Sequence, residues 1–168
     1  MKKILILLSA VCVLAACGTL RQSPEEAARM QAQVQERLDS RRFKVDITHM
    51  HPTRGASRAV TSPYSLTVNE DKLISHLPYF GVAYNVPYGG GKALNFESTI
   101  STYEERPSGQ DRRTIVITTD NEEDILVYRL VVFDNGRCSL NVRSRNREPI
   151  DFQGNLDPDA DPARKEKD

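Results

Sequence analysis

Ile125-Leu126-Val127-Tyr128-Arg129-Leu130-Val131-Val132-Phe133, then Asp134-Asn135-Gly136, then Cys138-Ser139-Leu140-Asn141-Val142, is the stretch that decides the fold. The first run is short, apolar and rich in β-branched and aromatic residues, which marks a buried strand rather than a helix. The second alternates apolar with polar residues, the period of a strand buried on one face. Between them, Asn135-Gly136 supplies the positive φ angles that a tight hairpin needs. Thr114 to Thr119 precedes this hairpin across a turn at Asp120 to Asp124, and Ile150 to Leu156 follows it, so the carboxyl-terminal half predicts an antiparallel meander.

Upstream, Phe43, Val45 and Ile47 alternate with Lys44, Asp46 and Thr48 as a further half-buried strand. Tyr64, Leu66 and Val68 alternate likewise, Asn69-Glu70-Asp71-Lys72 supplies a turn, and Leu73, Ser75 and Leu77 complete a hairpin. Before these strands, Ser23-Pro24-Glu25-Glu26 combines a capping serine, a proline at the first helical position and a glutamate at the third. A helix is expected over 23–41, with Ala27, Met30, Val34 and Leu38 as a narrow apolar stripe that serves as a spacer or a lid. The expected fold is mainly β: a helix followed by a single domain over 42–156, an antiparallel β-barrel or β-sandwich. The alternative is an α+β arrangement with the helix packed on one open antiparallel sheet. Residues 157–168 have almost no apolar surface to offset the entropy of ordering them and are expected to form a disordered tail.

The amino terminus reads as an address. Lys2-Lys3 leads into an apolar run from Ile4 to Leu14, too short to span a bilayer and suited to a signal peptide. It ends in Leu14-Ala15-Ala16-Cys17, which resembles the lipobox of bacterial lipoproteins. That resemblance implies removal of 1–16, lipidation of Cys17 and a tether over 17–22. A diacylated cysteine holds a soluble domain on a membrane without a transmembrane helix. Gly18 after the cysteine implies transport to the outer membrane, with the domain facing the periplasm. The 23 basic residues include Lys2 and Lys3 of the leader, so the remaining chain balances 21 basic against 23 acidic residues, and no cationic excess points to nucleic acid. Cys12 and Cys17 belong to the leader region, which leaves Cys138 without a partner for an internal disulfide.

The segment Leu77 to Gly91 collects Tyr79, Phe80, Tyr84 and Tyr88 beside Gly89-Gly90-Gly91. Tyrosines join apolar area to a hydroxyl and glycines permit close approach, so this loop is the candidate ligand or partner surface; the plainer reading is a loop that plugs one end of the core. Gly89-Gly90-Gly91-Lys92 lacks the spacing and context of a phosphate-binding loop, and no cofactor motif is present. His49 and His51 share a strand face and His76 is a possible third metal ligand, although scattered histidines more often serve as polar surface residues. Catalytic residues are not evident. No nucleophile elbow occurs, Cys138 alternates with Leu140 and Val142 as an inward, inert thiol, and Asp111, Glu122, Glu123 and Asp124 sit at turns where solvated carboxylates are ordinary. Arg137, Arg143, Arg145 and Arg147 read as solvated strand-edge charge or an anion-facing cluster.

Phe43, Thr61-Ser62-Pro63-Tyr64-Ser65-Leu66, Leu77-Pro78-Tyr79-Phe80-Gly81, Ala83-Tyr84, Pro87-Tyr88-Gly89-Gly90-Gly91, Leu94-Asn95-Phe96 and Asn135-Gly136 together resemble the exported bacterial domains of domain-of-unknown-function family 4251, over Arg41 to Leu156. The resemblance implies an exported, often lipid-anchored single domain and brings no established activity. The expected function is a non-enzymatic envelope protein that binds a small ligand or another envelope protein through the aromatic loop. The alternative is an envelope hydrolase using a carboxylate or histidine as acid or base.

Overall fold

The computed structural model describes residues 23–85 and 92–163. The leader, Cys17 and the tether, as well as Tyr88, Gly89, Gly90 and Gly91 of the aromatic loop, lie outside the described residues. Among the described residues, one helix, α1 (Pro24–Asp39), precedes nine strands: β1 (Arg42–Pro52), β2 (Arg58–Ala59), β3 (Ser65–Asn69), β4 (Lys72–His76), β5 (Asn95–Pro107), β6 (Arg112–Asp120), β7 (Ile125–Phe133), β8 (Arg137–Ser144) and β9 (Ile150–Asp157). No helix among the described residues is long and apolar enough to cross a membrane.

All strand pairs are antiparallel, and β1 closes the sheet. Arg42 to Asp46 pairs with β3, while Lys44 to Pro52 pairs with β9, so the ladder β1-β3-β4-β5-β6-β7-β8-β9 returns to its first strand. The result is an eight-stranded barrel, not a sandwich or an open sheet, with β2 added at the edge of β1 opposite His49 and Met50. A bulge between Ile47 and His49 lets the long first strand bend enough to serve both neighbours. Gly154 faces this bend. A Cβ there would lie 2.2 Å from the backbone oxygen of Asp46, so only glycine admits the close approach of β1 and β9.

Eight strands make a barrel whose interior side chains just fill. Phe43, Val45, Leu66, Val68, Leu73, Ile115, Ile117, Leu130, Leu140 and Phe152 are buried there. Tyr128 also points inward. Its hydroxyl donates to Ser75 Oγ at 3.1 Å, and Ser75 donates onward to the Leu94 carbonyl at 2.7 Å, so the buried polar groups satisfy one another.

The helix closes one end. The Ser23 side chain accepts from the Glu26 amide and the Glu26 carboxylate accepts from the Ser23 amide, the reciprocal cap expected from the sequence. The helix stops at Asp39 rather than Arg41, because Arg41 adopts φ +52° to turn the chain into β1. Val34 and Leu38 are buried and Met30 packs on the same core, while Ala27 at the start of the stripe stays exposed. Each buried aliphatic contributes about 1.5–3 kcal/mol. Gly136, at φ +80°, turns β7 into β8 and lets Met30 and Val34 sit directly on the hairpin. Arg113 then ties α1 to the wall, with Nη1 at 2.5 Å from Asp39 and 2.9 Å from Glu105.

Of the segment expected as a tail, Asp157 belongs to β9, and the Pro158 and Pro162 carbonyls accept hydrogen bonds from Arg37 and Asn69. Residues 164–168 lie outside the described residues.

Candidate functional site

The end of the barrel opposite α1 is closed by loops. Leu77 is fully buried and its amide donates to the Leu94 carbonyl at 3.2 Å, so the long β4–β5 connection begins as a plug for the core. The chain then crosses towards the β8–β9 connection. There the Tyr79 hydroxyl lies 2.9 Å from the Val82 carbonyl and 3.3 Å from the Glu148 carbonyl, within donating reach of both. Gly81 makes room for this ring: a Cβ there would stand 2.8 Å from the Tyr79 oxygen. Partial burial pushes the Tyr79 phenol above its ordinary pKa, against the opposing pull of the Arg147 guanidinium stacked 5.6 Å from its centroid.

Glu148 joins the two connections. Its side chain is 6% exposed; Oε2 accepts from the Val82 amide at 3.2 Å and Oε1 pairs with Arg54, itself 76% exposed, at 3.1 Å. The backbone repeats the link: Glu148 donates to Val82 at 3.0 Å, Ala83 bridges Arg147, and Tyr84 donates to Asn146 at 2.7 Å. Asp124 anchors the neighbouring corner by accepting from Ser144 Oγ and from the Arg145 and Asn146 amides. Buried acceptors bonded in this way hold loops together.

With the backbone fixed, three apolar side chains face outward in alternation: Phe80 is 45% exposed, Val82 42% and Tyr84 68%. The Arg58 guanidinium lies 4.4 Å from the Phe80 centroid, and Arg54 reaches in beside Glu148. Large exposed apolar groups rimmed by polar ones characterise contact surfaces.

The structure thus divides the sequence-predicted set. Tyr79 is an internal strut of the loop, Phe80 and Tyr84 are presented to solvent, and Tyr88 with Gly89 to Gly91 lies outside the described residues. His49 and His51 share the outer face of β1 with ring centroids 6.4 Å apart, whereas His76 packs on Tyr64 at 5.2 Å. Among the described residues, no group of three or more His, Cys, Asp or Glu stands within reach of one metal ion. Cys138 is buried, and burial pushes its thiol up to about 12. The late arginines do not form one patch: Arg137, Arg143 and Arg145 are exposed on the surface, but Arg147 is buried beneath the loop. Glu148 is the residue sequence reasoning missed, and Arg147, expected as solvated or anion-facing charge, is instead buried. Adjacent opposite charges before Pro149 carry no signal of burial until the loop from β4 is laid across them.

No curated protein matches the chain. Among solved structures, the crystal structure of a DUF4251 family protein from Bacteroides eggerthii DSM 20697 superposes with a TM-score of 0.59 at 15% identity, covering 77% of this chain and 87% of the other. This likeness bears on the fold alone. The model of the domain of unknown function DUF4251 matches residues 25–156, taking in α1 as well as every strand of the barrel. The chain belongs to the DUF4251 family.

Proposed function

We propose that the protein is a lipid-anchored envelope protein, held through Cys17, that binds a partner protein without catalysis through the outward edge of the β4–β5 loop. The observation that carries this reading is the exposure of Phe80, Val82 and Tyr84 on a backbone tied down at Val82 and Tyr84. A contact surface whose backbone is already ordered loses little conformational entropy on binding. Arg54 and Arg58 at its margin favour a partner whose apolar patch carries an acidic rim. The packed interior argues against a ligand carried inside the barrel, since Phe43, Tyr128 and Phe152 fill it. The position of α1 gives the surface a direction. Ser23 caps α1 at the helix end of the barrel, and on this reading the loop at the opposite end faces away from the membrane.

A photoreactive residue placed at Tyr84 in cells tests the surface, with exposed Ile74 on the barrel wall as the control position. The expected result is a discrete cross-linked species from Tyr84, absent from Ile74 and lost when Phe80 is also changed to serine. Equal cross-linking from both positions contradicts the proposal. Metabolic labelling with a fatty-acid analogue tests the anchor separately: label is expected on the wild-type chain and absent from Cys17→Ala.

A further inference from the structure

A second surface lies on the barrel wall, away from the loop. The outer faces of β8, β9 and β1 form a groove of about 450 Å³ beside the β7–β8 hairpin. Strand register fixes what lines it. Ser139 stands opposite Gln153, and Gln153 opposite His49, so these three side chains make one row; Arg137 stands opposite Asn155 in the next row towards α1. Phe133 closes that side.

The chemistry of this lining is selective. The molecule as a whole has equal numbers of acidic and basic residues, yet the groove lining contains Arg137 and His49 and no carboxylate. By register Asp46, opposite Asn155, and Asp151, two residues before Gln153, flank the lining without joining it; Asp46 is paired with Lys44 at 3.1 Å and Asp151 accepts from Asn141 Nδ2 at 2.8 Å. Among the described residues, the Gln153 and Asn155 carboxamides and the Arg137 guanidinium have no hydrogen-bond partner. A carboxamide both donates and accepts, which suits the vicinal hydroxyls of a sugar. His49, stacked on His51, and Phe133, with the Arg112 guanidinium 5.8 Å from its centroid, add ring surface to the lining, and a guanidinium fork matches a carboxylate. A volume of this size is that of a small-ligand site.

We infer that this groove binds an acidic oligosaccharide, with a uronate carboxylate on Arg137 and hydroxyls on Ser139, Gln153 and Asn155. The site is independent of the aromatic loop and does not rest on the partner-binding reading.

The probe is a galacturonate trimer, titrated calorimetrically into the full chain in detergent, with its carboxyl-reduced galactose trimer as the neutral comparison. Arg137→Gln is expected to weaken the acidic trimer about tenfold, the size of one lost charge-assisted hydrogen bond, and to abolish its preference over the neutral one. Gln153→Ala is expected to weaken both trimers. Both residues are exposed, so an unchanged melting temperature verifies each variant. The Phe80→Ser, Tyr84→Ser double variant is expected to bind the trimer as the wild type does. No binding of either trimer, binding of the acidic trimer by Arg137→Gln as tight as by the wild type, or binding lost only in the loop variant overturns the assignment.

Discussion

The two ends of the barrel are closed by opposite means. At one end α1 lays an apolar stripe over the core, so Val34 and Leu38 are buried and the polar residues of the helix face water. At the other, the closure is largely polar: Glu148, Asp124 and the Tyr79 hydroxyl tie loops together through backbone amides and carbonyls, while Phe80, Val82 and Tyr84 turn outward. An end held by apolar burial uses up its apolar groups. An end held by hydrogen bonds leaves some of them free to meet something else, and this is why the loop end is the proposed contact surface.

The comparison breaks most visibly at the helix. Leu38→Ala removes a fully buried side chain from the lid, and a loss of about 2–5 kcal/mol in urea unfolding is expected, together with release of α1 from the hairpin. A loss below that range would mean the helix is an accessory rather than a lid. At the loop end, Glu148→Ala leaves the Val82 amide unpartnered, and about 1–3 kcal/mol is expected, read mainly as faster local opening and only partly in global unfolding. Tyr79→Phe keeps the ring under Arg147 but removes the hydroxyl, for about 1 kcal/mol. The smallest effect belongs to the proposed surface itself: Phe80→Ser with Tyr84→Ser is expected to stay within about 0.5 kcal/mol of wild type in the same unfolding assay. A large loss there would make these residues part of the fold.

The same contrast explains what was legible in the sequence. The β6 to β9 meander and the β3–β4 hairpin follow from period-two patterns, from the short apolar run of β7 and from the turns at Asn135-Gly136 and Asn69 to Lys72. The capped helix follows from local chemistry at Ser23 and Glu26. β5 did not. Its inward positions include Ser98 and Glu105, and a bulge between Ile100 and Thr102 shifts the phase halfway along, so no alternation survives in Asn95–Pro107. β2 has only two residues and no pattern to read. Closure into a barrel depends on β1 pairing with β9 across nearly the whole chain, a contact that periodicity along either strand does not encode. At the site, composition pointed to the aromatic loop, but the separation of Tyr79 as strut from Phe80 and Tyr84 as surface arises from Glu148, on a different connection.

Hydrogen exchange at the Val82 and Tyr84 amides tests most directly whether the outward loop is a prearranged surface. Both amides are bonded, to Glu148 and to Asn146, so slow exchange is predicted in the wild type, with protection at Val82 lost in Glu148→Ala while Leu130 in the barrel wall stays protected. Exchange at Val82 and Tyr84 in the wild type as fast as in an unstructured peptide would contradict the account.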